Sequence, residues 1–205
     1  PVGENIPDTT DYQMFSYTGL AIMAGPAGAT VQIDADNDGG FETTVTLTEG
    51  QSHFVNGGVN VGAQVVSDNP VQVDILTGDR GSNYESRDSA LLPTDLWSSS
   101  YYTPVSTANP TGYTAGTTVW LYNPNATAIT VSYEWSGGSD SISVGAGSYS
   151  KVILDDPYAY HFYTAGDQHF YAFSTTDSTS SSSGDNQAWD WGYSLVPEES
   201  LTPQV

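Results

Sequence analysis

The stretch that decides the fold is Ala29-Thr-Val-Gln-Ile-Asp-Ala-Asp-Asn-Asp-Gly-Gly-Phe-Glu-Thr-Thr-Val-Thr-Leu-Thr48. Its two ends, Ala29–Asp34 and Thr43–Thr48, alternate apolar and polar residues, and the acidic cluster DNDGG lies between them. Alternation with a period of two is typical of a β-strand with one buried face, and Asp, Asn and Gly favour turns. The stretch therefore predicts an antiparallel hairpin with an acidic tip.

The same alternation recurs along the chain, and helical periodicity is almost absent. Further alternating runs are Val59–Val66, Val71–Leu76, Thr117–Tyr122, Ala128–Trp135, Ser148–Leu154 and Phe170–Thr175. Turn-forming clusters such as VNGG, SDNP and SGGSD separate them. Short strands with frequent turn signals predict an all-β protein, an antiparallel β-sandwich.

Two pairs of similar segments suggest an internal repeat. Gly28–Val31 matches Gly116–Val119, and Leu91–Leu96 resembles Leu195–Ser200. Chance similarity in a β-rich chain is the alternative. We expect two related β-lobes, at residues 28–107 and 108–205, after an N-terminal segment with the first strand at residues 1–27.

Composition excludes several classes of function. There are 24 acidic residues against 3 basic ones, a formal net charge of −21, and no cysteine. Nucleic acid is not an expected partner, because phosphate binding needs clustered Lys and Arg. Direct membrane insertion is not expected either, because no apolar stretch reaches the length of a span. Without cysteine there is no disulfide framework and no thiolate metal site. We expect an extracellular or cell-surface protein, and a processed product or a piece of a longer polypeptide.

The acidic hairpin tip carries a candidate calcium site. Calcium prefers six to eight oxygen ligands, and calcium loops place them at alternate positions before and after a glycine. On that pattern Asp34, Asp36 and Asp38 would supply side-chain oxygens, Gly40 a backbone carbonyl and Glu42 a ninth-position contact.

Two departures leave a second interpretation open, namely a plain acidic hairpin tip. The twelfth position of the loop, where a bidentate Glu belongs, is Val45, and the flanks are strands rather than helices. The segment Tyr122–Ala126, assigned to the equivalent turn of the second lobe, contains no acid.

A second cluster holds two of the three basic residues. Arg80 and Arg87 lie among Asp79, Glu85 and Asp88. Arg can hold a carboxylate through two parallel hydrogen bonds, so these residues are predicted to form structural ion pairs that pin a loop. Recognition of an acidic ligand is the functional alternative.

Nothing in the sequence predicts catalysis. The three histidines lack metal-motif spacing, and no serine lies in a G-x-S-x-G turn. We therefore predict no catalytic residues and no enzyme. The abundant Trp and Tyr residues, including Trp189 and Trp191 on one strand face, fit core packing or, alternatively, a surface that binds glycans.

Several segments carry a family resemblance. They are NPVQV (69–73), TGDRGSNYESR (77–87), VWLYNPN (119–125) and WDWGYSLVPEESL (189–201). Together they resemble the β-rich repeat regions of large bacterial surface proteins, related to the N-terminal region of IgGFc-binding proteins. The resemblance implies an extracellular scaffold or adhesion module. It does not carry antibody binding to this chain, because no residue matches a contact motif.

These observations predict a non-catalytic, extracellular structural or adhesion module. Its expected partners are neighbouring copies or flanking domains, with polymerisation into a filament or surface layer through exposed strand edges. Calcium is the one predicted cofactor. A carbohydrate-binding β-sandwich is the alternative function.

Overall fold

The structure, a computed structural model, describes residues 2–6, 14–80, 86–104, 117–154, 157–176 and 191–203. These residues form four antiparallel sheets, which confirms the predicted all-β fold. The chain divides into two compact units, residues 2–91 and 92–205.

The N-terminal unit contains seven strands among its described residues. They are β1 (Tyr17–Ala24), β2 (Ala29–Asp34), β3 (Thr43–Leu47), β4 (Ser52–Val55), β5 (Gln64–Ser67), β6 (Val71–Gly78) and β7 (Ser86–Ala90). One sheet has the strand order β4-β1-β6-β7 and the other β3-β2-β5.

The predicted hairpin is present as β2 and β3, paired from Ala29 with Leu47 to Ile33 with Thr43. Val31 and Ile33 are buried, whereas the intervening Gln32 is exposed. The alternation follows because successive side chains of a strand point to opposite faces.

The C-terminal unit contains eight strands among its described residues. They are β8 (Ser100–Tyr102), β9 (Thr117–Asn123), β10 (Ile129–Trp135), β11 (Gly138–Val144), β12 (Ser148–Ile153), β13 (His161–Thr164), β14 (Tyr171–Thr176) and β15 (Trp191–Ser194). The sheets have the orders β11-β10-β13-β8 and β12-β9-β14-β15. Both sheets contribute to one core, which includes Leu121, Val131, Phe162 and Ala172, so this unit is a sandwich.

The division between the units falls earlier than the predicted boundary after residue 107. Residues from Leu92 onward belong to the C-terminal unit. There Tyr101 is buried and β8 pairs with β13. Such pairing between distant residues is invisible to local turn signals. Likewise β1, predicted within a separate segment 1–27, is an inner strand of its sheet.

The two units share a strand order. The order β4-β1-β6-β7 corresponds to β12-β9-β14-β15, and β3-β2-β5 corresponds to β11-β10-β13, with β8 added beyond β13. By this correspondence β2 matches β10, and Ala29-Thr-Val31 aligns with Ile129-Thr-Val131. The predicted match of residues 28–31 with 116–119 instead sets β2 against the start of β9.

The two segments of the second predicted match have similar local structure. Leu91–Leu96 and Leu195–Ser200 each contain a short 3-10 helix, Thr94–Leu96 and Glu198–Ser200. Each begins after a proline with nearly the same dihedral angles, φ −54° and ψ 148° at Pro93, and φ −55° and ψ 146° at Pro197.

Candidate functional site

The loop from β2 to β3 brings four of the five predicted calcium ligands together. One carboxylate oxygen from each of Asp34, Asp36, Asp38 and Glu42 lies within 4.8 Å of the others. Asp34 is buried and the other three are exposed. The loop therefore presents a compact set of hard oxygen atoms.

Hydrogen bonds within the loop fix the direction of these carboxylates. Oδ1 of Asp36 accepts from the Asp38 N–H at 3.1 Å, and Oδ1 of Asp38 accepts from the Gly40 N–H at 2.8 Å. Oε2 of Glu42 accepts from the Ala35 N–H at 3.0 Å. Each of these contacts engages one oxygen of a carboxylate and so orients the group.

Asp34 differs from the other three because it ends the buried strand β2. It is only 1% exposed. Its Oδ2 accepts from the Gly39 N–H at 3.0 Å, which requires the left-handed turn that Gly39 makes at φ 91°. Its Oδ1 is buried and has no hydrogen-bond partner. A buried carboxylate oxygen without a partner is rare and needs an explanation.

The connection from β4 to β5 holds the loop from outside. Asn60 donates its N–H to the Ala35 carbonyl at 2.8 Å and its Nδ2 to the Asp36 carbonyl at 3.0 Å. In return, Nδ2 of Asn37 donates to the Val61 carbonyl at 3.1 Å. The loop is thus tied at three points to a segment some 24 residues away.

The clustered negative charge perturbs two of the carboxyls. The pKa of Asp36 is raised, mainly by lost solvation within the loop, with contributions from a hydrogen bond with Glu42 and repulsion by Asp38 and Glu42. The pKa of Glu42 is lowered, chiefly because the Ala35 N–H stabilises its charged form. The pKa values of these two neighbouring carboxyls are therefore shifted in opposite directions.

The comparison drawn from residues 122–126 does not hold. Tyr122–Ala126 leads from β9 to β10, which corresponds to the β1–β2 turn. The connection that corresponds to the acidic loop is Ser136-Gly137, between β10 and β11. That connection is also free of acidic residues, so the acidic loop is particular to the N-terminal unit.

Arg80 forms an ion pair with a partner that the sequence did not suggest. Its Nη2 lies 2.9 Å from Oε1 and 3.2 Å from Oε2 of Glu4, and its guanidinium lies 5.8 Å from the centre of the Tyr17 ring. Oε1 of Glu4 also accepts from the Thr18 N–H at 3.0 Å. Burial raises the pKa of Glu4, but the N–H groups of Thr18 and Gly58 together with Arg80 outweigh it, and the net pKa is lowered.

The remaining residues of the predicted ion-pair cluster have different positions. Asp79 accepts from the Ser16 hydroxyl at 3.2 Å. Arg87 is buried on β7, opposite Thr77, and Asp88 beside it is exposed. Glu85 lies outside the described residues.

An edge strand, β8, completes one sheet of the C-terminal unit. It pairs with β13 from Ser100 opposite Tyr163 to Tyr102 opposite His161. The Tyr101 hydroxyl accepts from the Ser98 N–H and donates to the Phe170 carbonyl, both at 2.8 Å. These contacts fix the strand from inside the core.

In the same sheet, three residues from neighbouring strands lie in the order of a serine–histidine–acid triad: Ser100 on β8, His161 on β13 and Glu134 on β10. The Ser100 Oγ lies 2.8 Å from Nε2 of His161, whose Nδ1 lies 3.3 Å from Oε1 of Glu134. The Ser100 hydroxyl also donates to Oε2 of Glu198 at 2.5 Å. The Glu198 carboxylate would repel the negative charge that develops during acyl transfer. The contacts of Ser100 therefore favour a structural role, holding β8 in place, over an activated nucleophile.

A family comparison covers both units. The family model described as IgGFc binding protein matches residues 5–201. The chain belongs to the IgGFc binding protein family. Neither the curated proteins nor the solved structures yielded a match to it.

Membership of the IgGFc binding protein family confirms the resemblance seen in the sequence. Proteins of this family are typically extracellular, and membership indicates a binding or structural module that contacts other proteins. Within the part of the chain that the structure describes, none of the helices has the length and apolar character needed to cross a bilayer.

Sequence reasoning missed two separate clusters in this IgGFc binding protein family member, one in each unit. The Asn60 anchor and the Ser100–His161–Glu134 cluster join residues from separate strands or connections, and their spacing carries no motif. Contacts between residues so far apart in the sequence are set by the fold.

Proposed function

We propose that the chain is a non-catalytic structural or adhesion module of a bacterial-type extracellular surface protein, which joins to like modules by strand addition. The observation that carries the proposal is β8, which adds as a short edge strand to β13. Strand addition supplies affinity through backbone hydrogen bonds, and side-chain pockets supply specificity.

The corresponding edge in the N-terminal unit is β5. It matches β13 in the shared strand order, and among the described residues no strand lies on its outer side. Val66, an apolar residue on β5, is 47% exposed. An exposed apolar edge strand promotes unwanted pairing with other chains unless a partner strand covers it. An edge of this kind is suited to accept a strand.

The proposed occupant is the segment that follows Glu198–Ser200 in a neighbouring copy. β8 follows a 3-10 helix of the same geometry, Thr94–Leu96, and the segment after the second helix begins with Leu201, which is 54% exposed. An interface between two different surfaces of identical chains gives a filament on repetition, unless its rotation closes into a ring. The shared strand order also supports an origin by duplication.

Sedimentation velocity over a range of concentrations tests this proposal. We expect the wild type to associate, and expect association to be lost in Val66→Lys and on removal of residues 201–205. Phe54→Lys is the matched control, because Phe54 is 48% exposed on a different edge strand, β4, and it should associate like the wild type. A wild type that stays monomeric, or a truncated chain that associates equally, would refute the proposal.

Carbohydrate binding is a second candidate, favoured by one surface. Tyr102 is 43% exposed, and its ring stacks on the His161 ring with 4.2 Å between the ring centroids. The His161 ring also stacks on the Tyr163 ring, with 4.8 Å between the centroids. Tyr101, Trp120 and Phe162 are buried, whereas the Tyr102 ring is exposed, so a sugar ring could stack on this row. A glycan array with wild type and Tyr102→Ala tests it; equal or absent signals would exclude this surface.

A further inference from the structure

We propose that the loop Asp34–Glu42 is a calcium site. Two independent observations support it: four carboxylates converge within 4.8 Å, and the buried member, Asp34, keeps one oxygen without a protein partner. The inference stands apart from strand addition and does not require that the chain assembles.

The buried oxygen is the stronger of the two observations. Of the two oxygens of Asp34, the Gly39 N–H engages Oδ2, which leaves Oδ1 as the one available to a ligand. Taking a carboxylate oxygen out of water without a compensating contact is unfavourable. A cation bound to Oδ1 supplies that contact, whereas an exposed acidic turn would not need to bury it.

The loop is also preorganised for binding a cation. Asp36, Asp38 and Glu42 each accept one backbone N–H of the loop, and Asn60 fixes the carbonyls of Ala35 and Asp36. A cation would therefore meet carboxylates that are already oriented, with little ordering left to offset the binding free energy.

The donor set favours calcium over other metals. Every converging side chain is a carboxylate, which excludes the nitrogen and sulfur ligands that zinc and copper prefer. Calcium accepts six to eight oxygens in flexible geometry, so the Gly40 carbonyl and water can complete the shell where Val45 replaces the usual twelfth-position Glu. Magnesium demands a stricter octahedron and retains its water.

The test compares calcium binding in variants that keep the loop's hydrogen bonds. Asp38→Asn and Glu42→Gln each remove one charge from an exposed side chain and retain an oxygen to accept the same N–H. Asp140→Asn is the matched control, because Asp140 is also exposed and accepts a neighbouring N–H, from Ser141 at 2.7 Å.

Isothermal titration of calcium chloride into chelator-treated protein should show one site per chain, with a dissociation constant of about 10⁻⁵–10⁻³ M. Affinity should fall at least about tenfold in Asp38→Asn and Glu42→Gln and stay unchanged in Asp140→Asn. Calcium should also raise the Tm of the wild type more than magnesium or sodium chloride at equal ionic strength. The proposal is overturned if calcium gives neither a saturable heat nor a Tm rise beyond sodium chloride, or if Asp38→Asn binds like the wild type.

Discussion

Replacing Tyr101 with Phe removes one hydroxyl group from the core of the C-terminal unit and leaves the ring in place. Tyr101 is fully buried, and its hydroxyl joins the Ser98 N–H to the Phe170 carbonyl. Ser98 and Phe170 already face each other as a bridge, so the hydroxyl is the third element of one buried network. Burial raises the pKa of this phenol, which keeps it neutral and able to donate.

The expected loss follows from the two groups that the substitution orphans. A buried donor or acceptor without a partner costs about 1–3 kcal/mol, so the two contacts together set a loss of about 2–6 kcal/mol in the free energy of unfolding. For a unit of roughly 110 residues, each kcal/mol lowers Tm by about 4 °C, so we expect a fall of about 8–24 °C.

Tryptophan fluorescence is a suitable assay, because all five tryptophans lie after residue 91, in the C-terminal unit. Urea unfolding followed at these residues should give the full loss for Tyr101→Phe and less than about 0.5 kcal/mol for the control Tyr102→Phe. Tyr102 is the neighbouring residue on the same strand and is 43% exposed. Equal losses in the two variants, or a loss below about 0.5 kcal/mol in Tyr101→Phe, would show that the hydroxyl network does not hold β8.

Three further predictions concern pH and the loop anchor. Because the folded-state pKa of Glu4 is lowered, its contribution is present above its unfolded pKa and is lost as the pH falls through the folded value. Denaturation at pH 5.5 and 3.5 should thus show that the free energy of unfolding falls less with acid in Glu4→Gln than in the wild type. An equal fall would show that the ion pair of Glu4 with Arg80 does not contribute to the acid response. Burial raises the pKa of several tyrosines, so stability should fall as the pH rises above about 10, and the absorbance at 295 nm should show a late-titrating group; simple titration of all tyrosines near pH 10 would contradict this. Gly62→Ala places a Cβ against Nδ2 of Asn37 at φ 92°, whereas the control Gly50→Ala has φ 70° and open space. We therefore expect Gly62→Ala to destabilise by at least about 1 kcal/mol more than Gly50→Ala in urea unfolding, and equal effects would argue against a close-packed anchor.

The alternating pattern predicted the strands that bury one face, and it failed where other constraints act. Ala29–Asp34 is β2 without change, because its inward and outward residues differ in polarity. β1 was predicted within residues 1–27 but without bounds, because Thr18, Gly19 and Leu20 are all buried in succession, which erases the alternation. Within Val59–Val66, Gly62 adopts φ 92°, so only the last part of that run belongs to a strand, β5.

The candidate site divides in the same way between local and distant information. The carboxylate spacing from Asp34 to Glu42 is local, and the sequence was enough to single it out. The burial of Asp34 and the support from Asn60 depend on strands that meet only in the fold. The pairing of Arg80 with Glu4, 76 residues apart, was out of reach for the same reason.

The position of β8 sets a problem of timing during synthesis. Tyr101 pairs with Phe162, so the chain must grow by some sixty residues before the strand meets its partner. At about 5–20 residues per second the ribosome needs several seconds for that length. Through this interval the tyrosine-rich strand is available to other nascent chains and to chaperones. Its brevity, three residues, is then an advantage, because so short a segment offers few backbone groups to an incorrect partner.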